Sequence, residues 1–503
     1  MKGIIILSIA LSCAVSLSAQ ELLTPNDFQY LGAFRLPEGS GGSDWGYSGE
    51  ALTYYPIGDP SGSDEHVGSL FGVGHAWHSY ISEISIPQPI ISPSKNPDDL
   101  PVARTLREFT DVRTGIGQLN VLQEIVRVGM EYLPARGSQS EGKLYLSWGA
   151  HFQEDEQNVA SHMWCNPDFT GAEGAWWVAD YSLYSVNDYL FEIPQEWADQ
   201  YTGGRSLATG RYRDGGWSGM GPSLYAIAPW QHGTPPVNGA RLEAVQMMQY
   251  STTFHEDPTD YRMQDYHNSD EWTGGAWLES GNLSAVVFVG TKGIGDSAWY
   301  GNSLGPCLEC DERGWWSAAF QGQFRFFDPR DLAHAAEGIV QPYEVQPYAV
   351  LPIDEVLFSV DSANMKYHTA GCAYDRERNF FYMMEPTADE SRDRSIIHVW
   401  RIAPESTDAD EPEAPTTFAL HRNYPNPFRD ATNVSYSLPE AVNVTLTVYD
   451  ELGRTVATLA DGEYKAAGTH TARFLARDLP AGVYHCRLSA GEYSAALMMV
   501  VAK

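Results

Sequence analysis

The chain carries three short β-rich runs near its N-terminus, which read GEALTYY (Gly49–Tyr55), SLFGVGH (Ser69–His75) and YISEISIP (Tyr80–Pro87). Polar, Gly-rich turns separate them. The same order returns in four further copies, of which the third is distorted, at residues 127–194, 273–329, 218–250 and 369–402. Each copy has a glycine at its head: Gly49, Gly129, Gly274, Gly219 and Gly371. A three-strand unit does not bury its apolar face alone, so the copies are expected to stack.

A fourth strand-like run accompanies most copies, and four antiparallel strands per repeat are typical of a β-propeller blade. The N-terminal run FQYLGAFRLP (Phe28–Pro37) resembles a fourth strand, whereas the last copy lacks one after Ile402. We therefore predict an all-β chain whose main part, residues 21–403, is a five-bladed propeller closed by its N-terminal strand. Six blades are the alternative, if the chain holds one further, degenerate copy.

Residues 1–20 have the pattern of a secretory signal peptide, with Lys2 before an apolar run and small residues at the end. No other run approaches the ~18 apolar residues of a transmembrane helix. The 503-residue chain has 65 acidic and 32 basic residues. Nucleic acid and anionic membrane surfaces bind clustered Lys and Arg, so neither is an expected partner.

Five cysteines lie outside the signal peptide, and two of them are close together, Cys307 and Cys310. In an oxidising compartment this pair is predicted to form a local disulfide. Free thiols and a metal site are the alternatives. A zinc site would need two further ligands nearby, and there is no second CxxC.

The C-terminal part of the chain has its own pattern. Residues 404–417 are rich in Pro, Thr and acid, which is typical of a solvated linker. Six or seven short alternating strands follow within residues 418–503, and they predict a small immunoglobulin-like β-sandwich.

This C-terminal part resembles the sorting domain of type IX secretion substrates. The resemblance rests on YPNPF (Tyr424–Phe428), Leu438-Pro439, VYD (Val448–Asp450), LGR (Leu452–Arg454) and LPAGVY (Leu479–Tyr484), with Lys503 at the end. It implies export across the outer membrane by the type IX machinery, followed by release or surface attachment. It implies nothing about the cargo.

Propeller geometry predicts a site. The first strand of a blade runs down the axis and the second returns, so the start of one and the end of the other share a face. The predicted catalytic residues on this face are His75, His151, Tyr367, Arg127 and Lys292. The predicted substrate-binding residues are Trp45, Tyr47, Trp77, Trp148, Trp217, Trp230, Trp272, His368 and Glu385.

Aromatic rings mixed with polar groups are typical of sugar-binding clefts, so we expect an extracellular polysaccharide as partner. His, Tyr, Arg and Lys favour a lyase acting on a uronate-containing glycan. The alternatives are a glycoside hydrolase, which needs two carboxylates from Glu50, Glu131, Glu271 and Glu385, and a propeller that only binds glycan or protein. No cofactor is predicted, although His75, His78 and His151 are suitable ligands for a divalent metal.

Overall fold

The computed structural model describes the chain over the following residues: 21–49, 51–59, 67–116, 126–150, 159–181, 184–212, 214–252, 261–301, 314–359, 366, 368–386, 388, 395–402, 417–421, 423, 426–428, 431–465, 467–476 and 479–502. Its regular structure is almost entirely β, which confirms the predicted all-β class. None of the helices in these ranges is long and apolar enough to span a membrane.

Five sheets precede residue 403 in the part of the chain that the structure describes. Sheet I consists of β3 (Leu52–Tyr55), β4 (Ser69–Val73), β5 (Ile81–Ser85) and β6 (Thr105–Thr110). Sheet II consists of β7 (Val126–Leu133), β8 (Lys143–Ala150), β9 (His162–Cys165) and β10 (Glu173–Val178), with β14 (Arg241–Leu242) at its edge. Sheet III consists of β11 (Tyr189–Glu192), β12 (Leu207–Gly210), β13 (Leu224–Ile227) and β15 (Ala244–Met248).

Sheets IV and V complete this region. Sheet IV consists of β16 (Glu271–Ser280), β17 (Leu283–Tyr300), β18 (Trp315–Phe327) and β19 (Pro347–Pro352), with β1 (Glu21–Leu22) pairing in parallel with β17. Sheet V consists of β20 (Cys372–Asp375), β21 (Phe380–Glu385), β22 (Ile396–Ile402) and β2 (Phe28–Arg35). The N-terminal strand therefore supplies the outer strand of the last sheet, in antiparallel register with β22.

The first strands of the five sheets contact one another in a closed cycle, β3–β7–β11–β16–β20 and back to β3. A closed ring of radial antiparallel sheets is a β-propeller. We call the face where the first strands begin the upper face, and the face where they end the lower face. Residues at the starts of these strands surround the upper end of the axial channel.

The glycines at the heads of the repeats have a packing reason. A Cβ atom on Gly371 would lie 2.8 Å from the backbone of Ala51, and one on Gly129 would lie 2.9 Å from the backbone of Tyr189. Each pair joins neighbouring first strands of the ring. Only glycine permits that approach without displacing a strand, which explains the glycine at these two repeat heads.

One detail of the predicted repeat is wrong. The run at residues 189–194 is the first strand of sheet III, not the end of the second repeat, so the run at 224–227 is a third strand. The copy at 218–250 looked distorted because this third strand was aligned with the first strands of the other copies. Residues 162–181 supply the third and fourth strands of sheet II.

The C-terminal region forms two antiparallel sheets around one separate apolar core. One sheet consists of β23 (Ala419–Leu420), β24 (Ala431–Leu438) and β27 (Gly468–Leu475). The other consists of β26 (Thr455–Lys465), β25 (Val442–Asp450), β28 (Gly482–Ala490) and β29 (Tyr493–Val501). Two short helices, α1 (Gln195–Tyr201) and α2 (Pro329–Ala336), follow the ends of β11 and β18.

Candidate functional site

Charged side chains meet at Glu271, the first residue of β16, at the upper end of the channel. Arg127 at the start of β7 reaches it from across the ring, with Nη2 4.0 Å from Oε2. Lys366 approaches from the segment before β20, with Nζ 3.4 Å from Oε1, and it also lies over the ring of Trp316. Glu271 and Lys366 are buried. Glu271 therefore faces two cations that come from different parts of the ring.

A second buried ion pair lies beside the first. The Nζ of Lys292 donates to Oδ1 of Asp270 at 2.9 Å, and the same oxygen accepts from the backbone of Gly293. The backbone N–H of His267 donates to the other carboxylate oxygen. Burial lowers the pKa of Lys292, while Asp270 opposes that shift by favouring the ammonium. The charge of Lys292 is thus compensated inside the protein.

Sheet III adds a third pair. Asp188 immediately precedes β11, and its Oδ1 lies 3.3 Å from Nε of Arg211, which follows β12. Arg211 is fully buried and also donates to the carbonyl oxygen of Ala150 in sheet II. The prediction omitted Asp188 and Arg211 because it did not identify β11 as a first strand. With that strand in place, the same rule of strand starts and ends selects both residues.

Glu385 belongs to a hydrogen-bonded chain across sheet V, and His368 lies close to it. Oε2 of Glu385 lies 2.7 Å from Nε2 of His398, and the backbone amides of Phe358 and Ser359 donate to the same carboxylate. Nδ1 of His368 lies 3.8 Å from Oε1 of Glu385. Both side chains are fully buried. Glu385 therefore secures the upper end of sheet V and presents no surface to a polymer.

The upper face of sheet I carries an exposed aromatic group, which we call the rim patch: Tyr47, His75, Trp77 and His78. Trp77 is 82% exposed and Tyr47 is 53% exposed. The ring of His75 lies 5.6 Å from that of Tyr47 and 6.2 Å from that of Trp77. Tyr47 has φ +49°, an uncommon conformation for a residue with a side chain, and such conformations cluster at functional sites.

Four of the predicted aromatic platforms are instead core residues. Trp45, Trp148, Trp230 and Trp272 are all buried. Trp230 follows the third strand of sheet III and so lies toward the lower face, which corrects its predicted position. Trp217 precedes that strand and remains partly exposed on the upper face, with its ring 5.9 Å from Tyr184. The rim patch and Trp217 are what remains of the predicted aromatic rim.

Several predicted residues lie outside the described ranges: Glu50, His151, Cys307, Cys310 and Tyr367. Their roles stay predictions. Within those ranges, no cluster of His, Cys, Asp and Glu has an arrangement that could hold a metal ion.

Further down the channel, Glu131 of β7 lies beside a second carboxylate. Its Oε1 accepts from the backbone N–H of Glu192, and its Oε2 accepts from the hydroxyl of Thr53 at 2.8 Å. Burial and the charge of Glu192 raise the pKa of Glu131 to about 8. Arg376 and Arg136 pair with Glu192; they outweigh burial and lower its pKa.

The comparisons with known proteins identify the C-terminal part. Residues 422–502 match the family model of the secretion system C-terminal sorting domain. This confirms the resemblance to type IX substrates and indicates export, with a secreted or cell-surface location. No curated protein sequence matches the chain.

Two solved structures are similar over most of the chain. A GH32 β-fructofuranosidase from Bombyx mori, solved as a mutant in complex with sucrose, has 10% identity and a TM-score of 0.32, and the match covers 95% of this chain and 90% of that one. A fructosyltransferase from A. japonicus has 10% identity and a TM-score of 0.31, with 96% and 94% covered. Likeness at this level transfers no activity to the present chain.

Proposed function

We propose that this exported protein acts on an extracellular polysaccharide through the upper face of its propeller, and that it hydrolyses glycosidic bonds. The observation that carries the proposal is the rim patch, which is on the same face of the propeller as the charged end of the channel. Trp77 and Tyr47 expose ring faces that suit stacking on the C–H surfaces of sugar rings. The sorting domain directs export, so the protein meets its polymer outside the cell.

Hydrolysis replaces the lyase reaction first expected from the sequence, because the described cations of the site are already paired. Elimination from a uronate needs a cation to neutralise the substrate carboxylate. Arg127 and Lys292 instead face Glu271 and Asp270. Their charges are compensated within the protein, so neither suits the neutralisation of a substrate carboxylate.

Among the carboxylates of the candidate site, we infer that Glu271 is one of the catalytic pair and Asp188 the other. They stand at the starts of neighbouring first strands, β16 and β11. Glu131 does not suit Glu271 as a partner. It lies four residues below Arg127, roughly 13 Å along the strand, whereas a hydrolase needs its carboxyl groups about 5–9.5 Å apart.

The finer description of the fold is part of the same proposal. The closed cycle of five first strands supports a count of five blades. The two sheets after residue 417 and their shared core support an immunoglobulin-like sandwich. The division into residues 1–20, 21–403, 404–417 and 418–503 follows composition and agrees with the match at 422–502.

Incubation of the full chain with a panel of neutral and uronate-containing polysaccharides tests the reaction. We expect new reducing ends without the ultraviolet absorbance of unsaturated products. Glu271→Gln should lower the rate roughly 100-fold or more, and Asp188→Asn should do the same. Trp77→Ala should raise KM with little change in kcat, because its ring contacts substrate away from the scissile bond.

Thermal unfolding of each variant separates loss of chemistry from loss of fold, since Glu271 also compensates the buried Lys366. Unsaturated products would instead support the lyase reaction. Retention of a polymer without cleavage would support the binding-only alternative. Unchanged rates in both Glu271→Gln and Asp188→Asn would remove the proposed carboxylate pair.

A further inference from the structure

A cleft of about 580 Å³ opens on the lower face, at the opposite end of the propeller from Glu271. Three segments line it: residues 134–138 after β7; Gln195, Asp199 and Gly204 in and after α1; and Trp230 with Gln231 after β13. We call it the lower cleft. Its volume falls within the roughly 300–1,000 Å³ of small-molecule sites. The upper-face reaction makes no use of it.

The polar groups of the lower cleft suit hydroxyl groups. Gln195 and Asp199 lie one turn apart on α1, and Nε2 of Gln195 donates to Oδ1 of Asp199 at 2.7 Å. Nε2 of Gln231 donates to the carbonyl oxygen of Gly203 at 3.0 Å. An amide NH₂ carries two hydrogens, so each glutamine retains a donor. The lining therefore offers both hydrogen-bond donors and acceptors, as a polyhydroxyl ligand requires.

The charge of the lower cleft selects among such ligands. Arg136 contributes to the lining, and its guanidinium pairs with Glu192. Asp199 has no Lys, Arg or His within ion-pairing distance among the residues whose contacts the structure describes. An anionic ligand such as a uronate is therefore disfavoured beside Asp199, whose charge has no cation opposite it.

Glycine keeps the lower cleft open. Gly204 has φ +77°, and a Cβ atom there would lie 3.2 Å from Nε2 of Gln231 and 3.3 Å from Oδ1 of Asp199. A side chain at this position would enter the space between the two polar groups. Gly137 lies against Trp230 in the same way, with its Cβ position 2.7 Å from the indole Cδ1. A side chain at either position would thus press on residues that line the cleft.

We propose that the lower cleft is a second carbohydrate site, which binds one unit of a neutral sugar. Asp199, Gln195 and Gln231 hydrogen-bond its hydroxyls, and Trp230 forms the apolar wall. This site is separate from the upper face, and its existence does not depend on the proposed hydrolysis.

Calorimetric titration of the full chain tests the proposal with D-glucose, D-galactose and D-mannose, and with D-glucuronate and D-galacturonate as charged counterparts. A Tyr47→Ala, Trp77→Ala background removes the rim patch from the measurement. We expect at least one neutral sugar to bind, and its uronate to bind at least tenfold more weakly. Asp199→Ala should weaken binding roughly tenfold or more, as for loss of a hydrogen bond to a charged group.

Glu196→Gln is the matched control, because Glu196 is exposed on the same helix but does not line the cleft. It should bind as the parent does. If Asp199→Ala unfolds the chain, Gln231→Ala replaces it. Absence of binding by every neutral sugar, equal binding of the uronates, or unchanged affinity in Asp199→Ala and Gln231→Ala would each overturn the proposal.

Discussion

Carboxylates at different depths of the axial channel have opposite electrostatic surroundings. At the upper end Glu271 faces Arg127 and Lys366, so it is held among cations. Lower down, Glu131 lies beside Glu192, and Glu192 forms ion pairs with Arg376 and Arg136. Burial without a cation of its own leaves Glu131 protonated near neutral pH. The same residue type thus has different surroundings at the two positions: cations at Glu271, and burial with a second carboxylate at Glu131.

The raised pKa of Glu131 predicts a pH dependence of stability. Between its ordinary value near 4.5 and about 8, the unfolded chain is ionised at this position while the folded chain keeps the proton. Unfolding then releases a proton, so stability falls as pH rises through this window, by up to ~1.4 kcal/mol per unit. Glu131→Gln should remove that component. Urea unfolding at several pH values between about 5 and 8 measures it, and identical slopes for parent and variant would contradict the assignment.

Asp270 is predicted to be important for stability through Lys292. Asp270→Asn leaves a buried ammonium without its carboxylate, which costs about 3 kcal/mol of unfolding free energy. Asp180→Asn is the control, because Asp180 pairs with Arg241 at a similar 2.9 Å but is exposed. Its loss should cost less than ~1 kcal/mol. Equal effects in chemical denaturation would show that the Asp270 pair is not protected from solvent.

At the scale of the element, the ring depends on how the N-terminal strand joins sheet V. The register between β2 and β22 shifts between Tyr30 and Gly32. Gly32 has φ +118°, and a Cβ atom there would lie 2.2 Å from the backbone of Ile90. The irregularity lets β2 pass close to Ile90, in the segment that follows β5. Gly32 is therefore needed both for the pairing of β2 with sheet V and for this close contact.

Gly32→Ala is therefore expected to destabilise the propeller far more than a glycine change in open space. Gly42→Ala is the control, since Gly42 has φ +85° but nothing within 4 Å of its Cβ position. Backbone strain alone costs about 1–2 kcal/mol, and Gly32→Ala adds a clash with backbone atoms. Thermal unfolding should show a clearly larger fall in Tm for Gly32→Ala. A similar fall in Tm for both variants would mean that Gly32 does not lie close to the backbone of Ile90.

The repeat pattern predicted the strands of sheets I, IV and V and the closing strand, because their runs are apolar and bounded by clear turns. It failed at sheet III, where β11 and β12 are only four residues each and α1 separates them. That error displaced Trp230 to the wrong face and hid Asp188 and Arg211. The pattern also did not predict the burial of Trp148 and Trp272. It places residues at strand ends but does not show the direction of their side chains.

At the scale of the whole molecule, propeller and sandwich bury separate apolar clusters. The described contacts between them are polar. Arg473 pairs with Asp331 at 3.1 Å, and Nδ2 of Asn433 donates to the carbonyl oxygen of Tyr348 at 3.1 Å. Partly exposed ion pairs contribute little, so each part is expected to keep its own stability.

Proteolytic cleavage within residues 404–417 should therefore release the sandwich and leave the propeller nearly unchanged. The polar contacts are worth too little to hold the two parts together once the chain is cut. Calorimetry before and after cleavage should show the same propeller transition, shifted by less than ~2 °C, and size-exclusion chromatography should separate the fragments. Raising the salt concentration should speed the separation by screening Arg473. Fragments that stay together at high salt, or a propeller transition that falls by many degrees, would show that the sandwich is a structural part of the propeller and not a separable export signal.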